Sequence, residues 1–440
     1  MATAKPGPNA LLFIFITVMI NMIGFGIILP VMPQLIMDVT GEGLSEAARW
    51  GGYISVAYAV VQFVMMPVMG QLSDRFGRRP ILLGSLLAYA ADFLMLALAP
   101  SLTLIFIARI FAGCFAATFS TANAYIADIS PPEKRAANFG LMGAAFGLGF
   151  IIGPALGGLI GDEYGHRAPF YAVAALGALN FVYGWFFLPE TNPPENRRPF
   201  NWRRANAFSS FKNFRQYPAI LPTAAVFLQL ALARWSFPAV WAYYAREAVG
   251  WSAREVGFSL MAVGLSAAIV EGGLTRIVIP KLGEARAAII GAGIAVFAYV
   301  GYAFASAGWM IYALIAFGAF AGFATPALQG IMSKSAPANA QGELQGAIGS
   351  LNGVAMILGP LVMTQVFATF TGDGAAVYFP GAHFLLAALL AAAAFYPLMI
   401  AVRRLATAGS SPDPAQGRAE GAGAPGGKVE TGFPPKRRDR

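Results

Sequence analysis

Twelve long apolar segments follow one another along this chain of 440 residues, with short polar stretches between them. A helix needs about 20 apolar residues to cross the hydrocarbon core of a bilayer, so twelve such helices fill most of the sequence. Charged residues make up 12% of the chain, against about 25% in soluble domains. The sequence therefore predicts an all-α membrane protein in a lipid bilayer, with twelve transmembrane helices and no large soluble domain. The segments are expected near 11–37, 50–71, 80–99, 102–125, 137–161, 168–189, 218–246, 255–275, 287–306, 309–332, 343–370 and 379–402.

A polar stretch rich in Asn, Pro, Arg and Lys, 190–217, divides the chain into two halves of similar size. We expect an N-terminal six-helix bundle at 1–189, a cytoplasmic linker at 190–217 and a C-terminal six-helix bundle at 218–402. Residues 403–440 are rich in Gly, Pro and Arg and show no apolar periodicity. This composition predicts a disordered cytoplasmic tail.

Three glycine positions recur in the two halves at a constant separation of 206 residues. One shared glycine would be chance, whereas three in register, in equivalent loops and helices, indicate a duplication. The sequence thus predicts two pseudo-symmetric bundles. Internal repeats of this kind build many secondary transporters, whose substrate site lies at the interface between the repeats. The pairs are Gly77 with Gly283, Gly140 with Gly346, and Gly153-Pro154 with Gly359-Pro360.

Basic residues are concentrated on one side of the predicted membrane. With both termini inside, four arginines lie in outer loops and two lie within helices, while the rest of the 30 Lys and Arg face the cytoplasm, as the positive-inside rule requires. The net charge of +9 therefore reflects topology and is poor evidence for nucleic-acid binding. The outer arginines are Arg49, Arg167, Arg246 and Arg254, and the arginines within helices are Arg109 and Arg234.

The loop after the second segment reads GQLSDRFGRRP. Its first glycine permits close helix approach, and its acid, beside three arginines, can form a charge cluster that clamps one transporter state. Topology alone would also explain basic residues there. The spacing resembles the signature loop of the major facilitator superfamily, which implies that fold and a gating role for the loop. The residues concerned are Gly70, Asp74, Arg75, Gly77, Arg78 and Arg79.

Two further segments strengthen the resemblance. Arg109 lies inside the apolar fourth segment, where a cation costs at least about 2.5–3.5 kcal/mol unless it faces a cavity or a partner. It is similar to the fourth-helix arginine of the family, which is linked to proton movement; a structural ion pair is the alternative. The fifth segment ends G-P-x-x-G-G, with Gly153, Pro154 and Gly157. This ending resembles the motif that marks antiporters, although small residues also serve helix packing alone.

The runs GIILPVMPQL, GQLSDRFGRRPILL and NAYIADIS, together with PALQGIMS…QGELQGAIGSL…GPL, resemble the tetracycline efflux branch of the family. The resemblance covers nearly all of the chain outside the central polar stretch and the tail. It implies a monomeric drug:proton antiporter of the cell inner membrane, without a cofactor or a resident metal. The transported species would be tetracycline-like, as a divalent-cation complex. The branch carries acids where this chain has Asn21 and Ala295, and those departures concern the substrate more than the antiport.

Proton coupling needs a carboxylate that can titrate inside the membrane. Asp92 matches an acid of the branch, and Glu271 stands where the branch usually has a neutral amide. We expect both to be proton or cation sites, with Arg109 and Arg234 as basic partners; static ion pairs are the alternative. Arg234 could pair with Glu271 or contact an anionic substrate group.

The substrate cavity is expected to combine apolar walls with a few polar groups. Trp235, Phe237 and Trp241 could stack on a planar ligand, or face lipid at the membrane surface. The polar side chains deep in otherwise apolar helices, which we predict to bind substrate together with Arg234, are Asn21, Gln62, Asn123, Gln229, Gln329 and Asn352.

Other classes of function are less consistent with the sequence. A proton-coupled symporter that imports a sugar or metabolite is the main alternative, and the fifth-segment motif disfavours it. A receptor or scaffold would not need Arg109 and Asp92 together. An enzyme is not expected, because the sequence shows no phosphate-cradling loop, no His/Cys metal spacing and no nucleophile motif.

Overall fold

The computed structural model describes residues 8–116, 118–202, 220–335 and 341–409. Twelve of its helices are long and apolar enough to cross a membrane. We number them α1 to α12 in chain order. Their bounds are Ala10–Thr40, Leu44–Phe76, Arg78–Leu98, Leu102–Ile129, Pro132–Tyr164, Ala168–Phe187, Leu221–Val249, Ala253–Leu282, Glu284–Ala303, Gly308–Lys334, Gln341–Thr371 and Ala382–Arg404.

Several spans are not regular along their whole length. The backbone of α7 is interrupted at Trp235, between Leu221–Arg234 and Ser236–Val249. One turn of α8, Val270–Leu274, is a π-helix, and one turn of α10, Ala319–Phe323, is a 3₁₀-helix. Such local changes of helix type often mark hinges or functional sites.

The duplication seen in the glycine spacing is present in the backbone. Gly77 joins α2 to α3 with φ +108°, and Gly283 joins α8 to α9 with φ +79°. Each donates its backbone N–H to the carbonyl four residues earlier, on Ser73 and Ile279. Both positions need the left-handed half of φ space, which glycine adopts without steric cost. The same device therefore ends the second helix of each half.

The glycine–proline pairs also play matching roles. Gly153 of α5 lies against Ile23 of α1, so closely that a Cβ atom would stand 3.0 Å from the Cα of Ile23. In the other half, Gly359 of α11 lies against Trp235 of α7, where a Cβ atom would stand 2.6 Å from the ring Cδ1. The fifth helix of each half thus packs tightly on its first helix. The predicted fold class is confirmed: an all-α protein of two six-helix bundles.

The linker and tail lie partly outside the described residues, at 203–217 and 410–440. The described start of the linker is bound to the first half, since Arg198 donates its backbone N–H to the carbonyl of Asp74 at 3.2 Å. The helical backbone at the end of α12 runs on to Gly409, past the end of the second bundle that the sequence predicts at 402.

The two halves are joined at the end of the bundle that carries Asp38, which we call the Asp38 end. Ser45 and Thr371 share a hydrogen bond of 2.8 Å between their hydroxyls. The Arg246 guanidinium donates to Gln34 Oε1 at 3.1 Å. The Asp38 end is therefore closed in this structure.

Candidate functional site

A cavity of about 390 Å³ lies between the two halves. Its walls come mainly from α1, α2, α3 and α4, and from α7 and α11 on the other side. Pockets that bind drug-sized molecules typically measure about 300–1,000 Å³, so this cavity can enclose a small organic molecule.

A buried ion pair forms part of the cavity wall. Asp92 on α3 and Arg109 on α4 are joined by a charged hydrogen bond, and their side chains are only 3% and 9% exposed. The guanidinium carbon of Arg109 also lies 5.8 Å from the ring centre of Phe93 and 5.9 Å from that of Tyr58. Such contacts with ring faces favour a cation. The pair explains how two charged residues are tolerated inside apolar helices.

Four polar atoms of the cavity wall are buried and lack a hydrogen-bond partner. They are Gln62 Oε1, Ser85 Oγ, Asp92 Oδ1 and Arg109 Nε. Buried polar groups in native proteins nearly always have a partner, so these atoms indicate a place for water molecules or a ligand.

The sequence-predicted substrate residues divide into two groups. Asn21 and Gln62 line the cavity. The Asn21 amide nitrogen is used within α1, where it donates to the carbonyl of Thr17 at 2.9 Å. The other predicted polar residues do not belong to the lining of this cavity in this structure: Asn123, Gln229, Arg234, Gln329 and Asn352.

Arg234 and Glu271 form a second ion pair, outside the central cavity. The Nη2 of Arg234 lies 3.5 Å from the Oε1 of Glu271. The two side chains are 61% and 40% exposed, so this pair is far more open than Asp92 and Arg109. Glu271 stands in the π-helical turn of α8 and packs against Gly322 of α10.

Three aromatic residues of α7, Trp235, Phe237 and Trp241, do not line one common site. Trp235 lines the cavity. Trp241 is buried and stacks with Phe237 at a centroid distance of 4.8 Å, inside a cluster that includes Tyr302 and Phe384. The interpretation of Phe237 and Trp241 as ligand-stacking residues finds no support in this structure, because their rings pack within the C-terminal half.

The sequence interpretation missed two tyrosines that line the cavity. Tyr58 and Tyr89 both stand in its wall, and Tyr89 donates its hydroxyl to the carbonyl of Ile20 at 2.8 Å. Nothing in the local sequence separates them from the other aromatic residues of their helices. Only the packing of α1, α2 and α3 shows which face they occupy.

The GQLSDRFGRRP loop builds a compact charge cluster, which we call the Asp74 cluster. Arg78 binds Asp74 at 2.5 Å and, through Nε, Asp128 of α4 at 3.2 Å. Glu190 accepts the backbone N–H groups of Arg78 and Arg79, at 2.8 and 3.2 Å. These are first-turn amides of α3, which an acid stabilises through capping and the helix dipole.

The remaining residues of this loop have separate roles. Arg79 donates to the carbonyl of Trp185 at 2.6 Å, and Arg75 lies 5.2 Å from the ring centre of Phe76. A Cβ atom on Gly70 would meet nothing within 4 Å, whereas one on Gly157 would stand 2.8 Å from the Cα of Ile27. Close helix approach therefore occurs at Gly157 but not at Gly70 in this structure.

The Asp38 end carries a histidine. His166 Nε2 lies 2.8 Å from Asp38 Oδ2. Partial burial lowers the pKa of His166 below its usual value of 6.5, and the charges of Arg167 and Arg246 act in the same direction, although Asp38 opposes them. The imidazole is therefore held mainly neutral at pH 7.

The described residues contain no group of three or more His, Cys, Asp or Glu that could hold a metal ion. The profile of the Major Facilitator Superfamily matches residues 14–360 of the chain. The chain belongs to the Major Facilitator Superfamily. It is thus a multi-pass membrane protein of a transporter family, as its sequence predicts.

Two curated members of the superfamily are similar over most of their length. The chain is 39% identical over 360 residues to the tetracycline resistance protein, class C, of Escherichia coli, covering 82% of this chain and 90% of that one. It is 36% identical over 360 residues to the class G protein of Vibrio anguillarum, covering 80% and 89%. Among solved structures, the human organic anion transporter MFSD10 (TETRAN) has the same fold, with a TM-score of 0.64, 22% identity and coverage of 89% and 100%.

Proposed function

We propose that this chain exports a small, tetracycline-like organic molecule from the cytoplasm in exchange for protons, by alternating access. The observation that carries the proposal is the buried Asp92–Arg109 pair in the wall of a cavity of drug-binding size. Relatives at 36–39% identity are named as tetracycline resistance proteins, which supports both the substrate class and the outward direction.

Asp92 is suited to couple the cavity to protons. One carboxylate oxygen is held by Arg109, and the other is buried without a partner and free to take a proton. Protonation removes the negative charge that holds Arg109, so the guanidinium is released towards the cavity. A substrate that occupies the cavity meets the same two groups. Proton binding and substrate binding are thus linked through one carboxylate.

The Arg234–Glu271 pair supports a second ionisable site in the C-terminal half. Charged side chains within a membrane face protein or water and not lipid, and both side chains are well exposed. We place them in the water-accessible path between the halves. Glu271 stands in a π-helical turn, and such turns are frequent at functional sites. In this proposal, Arg234 is the basic partner of Glu271, and Asn21 and Gln62 form hydrogen bonds with the substrate.

Gating depends on the Asp74 cluster and on the small residues of α5. The unit 1–189 rocks against 218–402, and the Asp74 cluster holds α2, α3 and α4 together in one of the two states. Gly153, Pro154 and Gly157 keep α5 in contact with α1 during the movement. The protein lies in the cell inner membrane with both termini cytoplasmic. The divalent-cation complex and the monomeric state that the resemblance implies stay predictions.

Tetracycline accumulation in an efflux-deficient bacterial host tests the function. Cells that make the native chain should accumulate less tetracycline until the proton gradient is collapsed. Asp92→Asn should abolish the difference, because the amide cannot carry the proton. Asp373→Asn is the matched control, since it makes the same chemical change in an exposed loop and should leave export intact. Equal accumulation with and without the native chain would contradict the proposal.

The same experiment in membrane vesicles separates export from import. In inverted vesicles, an exporter moves the drug inward when the lumen is acidified. In right-side-out vesicles, an inward proton gradient drives uptake only by a symporter. Uptake in the second preparation would favour the importer.

A further inference from the structure

We propose that the central cavity takes its substrate as a molecule of zero net charge, with aromatic rings and hydrogen-bond donors, and without a bound divalent cation. The inference rests on the proposed function in one respect only, which is that this cavity is the substrate site. A substrate without a bound metal differs from the divalent-cation complex that the resemblance implies.

The charges of the cavity wall cancel. Among the described residues that line it, Asp92 and Arg109 are the charged ones, and each is paired with the other. A ligand with a net charge would find no free counter-ion in this wall, and a charge taken out of water is costly unless it is paired. A divalent cation would need several oxygen ligands, and the one carboxylate of the wall has a single oxygen left over from its bond with Arg109.

The amides of the wall are neutral. Asn21 and Gln62 line the cavity, carry no charge that could balance a cation, and can offer only hydrogen bonds. The wall is therefore matched to a neutral or zwitterionic ligand.

The unpartnered atoms of the wall define what such a ligand must offer. Gln62 Oε1 and Asp92 Oδ1 are buried acceptors without donors, so they call for N–H or O–H groups on the ligand. Arg109 Nε is a buried donor without an acceptor. A ligand with hydroxyl or amide donors beside a carbonyl oxygen would satisfy all three atoms.

The apolar part of the wall favours flat rings. It is built from aromatic side chains of six helices, which present ring faces and edges to a planar molecule. The aromatic residues of the lining are Phe25, Tyr58, Tyr89, Phe93, Phe115, Phe146, Trp235 and Tyr243.

Tetracycline is a suitable probe because its net charge depends on the metal. Without metal it is a zwitterion of zero net charge near neutral pH, and with Mg²⁺ it forms a positively charged complex. Equilibrium dialysis of the purified full chain should show binding in EDTA that is at least as tight as binding in excess Mg²⁺. Tighter binding of the Mg²⁺ form to the native chain would overturn the inference.

Asn21→Asp adds a carboxylate to the cavity and should reverse the preference. We expect the Mg²⁺ form to gain at least about tenfold in affinity on this variant. Asn196→Asp is the matched control, because it adds the same charge on an exposed 3₁₀ turn away from the cavity, and it should change neither value. An Asn21→Asp variant that binds both forms as the native chain does would contradict the argument from charge.

A second pair of probes removes the dependence on tetracycline. Chloramphenicol is neutral, aromatic and rich in hydroxyl and amide donors, whereas tetraphenylphosphonium is an aromatic cation. The native chain should bind chloramphenicol more tightly than tetraphenylphosphonium, and the opposite order, or binding of neither, would count against the inference. The transport experiments measure proton-driven export, whereas dialysis measures binding and requires no gradient. Export can therefore be observed while the charge preference fails, and the charge preference can be observed while export fails. The two failures are therefore distinguishable.

Discussion

Replacing Gly153 by alanine probes the contact that holds α5 against α1. A Cβ atom at this position would stand 2.5 Å from the carbonyl oxygen of Ile23, 3.0 Å from its Cα and 3.1 Å from the Cα of Gly26. All three neighbours are backbone atoms of α1, so no flexible side chain can move aside. Accommodating the methyl group requires the whole of α1 to shift.

The size of the effect follows from two opposing contributions. Overpacking a tight contact costs about 1–3 kcal/mol, and a rigid backbone neighbour places this case in the upper part of that range. Alanine in place of glycine in a helix gains up to about 1 kcal/mol. Gly153→Ala should therefore lower the free energy of unfolding by about 1–2 kcal/mol.

Gly147→Ala is the matched control on the same helix. A Cβ atom there would meet nothing within 4 Å, so only the helix gain remains, and this variant should be stabilised by up to about 1 kcal/mol. SDS-induced unfolding of the purified proteins, followed by tryptophan fluorescence, measures both changes. The reasoning would be refuted if the two variants shifted stability in the same direction by the same amount.

Two further predictions concern the two ends of the bundle. At the Asp38 end, closure brings Arg246 of the second half near His166 and adds to the lowering of its pKa, so the closed state should bind a proton less readily than the open state. Its stabilisation is present above about pH 6.5 and is lost as the pH falls. Acidification should thus increase the distance between spin labels on the two halves at this end, and His166→Gln should remove that pH dependence. At the other end, Asp74→Asn deletes a partly exposed pair with Arg78, so it should change stability by about 1 kcal/mol or less yet slow export severalfold. Unchanged transport at matched expression would argue against a clamping role for Asp74.

The fold and the central ion pair could both be predicted from the sequence, for the same physical reason. Apolar segments of about 20 residues have few alternatives to membrane helices. A charge within such a segment must then find a partner or water. Asp92 and Arg109 stand out in the sequence because their surroundings make them costly, and the structure pairs them.

The remaining features depend on tertiary packing. Helices that are apolar on all sides give no periodicity to show which face is buried, so Trp235 could not be separated from Trp241. Glu190 lies 112 residues from the amide of Arg78 that it caps, and nothing near it in the sequence indicates that contact. The exposed positions of Gln329 and Asn352 likewise follow only from the arrangement of the helices.

The two halves keep the same backbone devices but not the same charges. Gly77 and Gly283 share their position and backbone conformation across the repeat. The positions 206 residues after Asp92 and Arg109 are occupied by Ala298 and Ile315, which are 3% and 4% exposed.

The second half instead carries its ionisable pair on α7 and α8, where the first half has Ile28 and Met65 at the equivalent positions. The two halves are therefore alike in their backbone structure but differ in where their ionisable pairs lie. Rocking between two states needs two bundles of matching shape, because each must close at either end. Under the proposed mechanism, a proton site duplicated at the equivalent position would place two identical ion pairs at one interface. Because the two sites lie at different positions, the Asp92–Arg109 pair can respond to a ligand in the cavity, and the Arg234–Glu271 pair can respond to the opening between the halves.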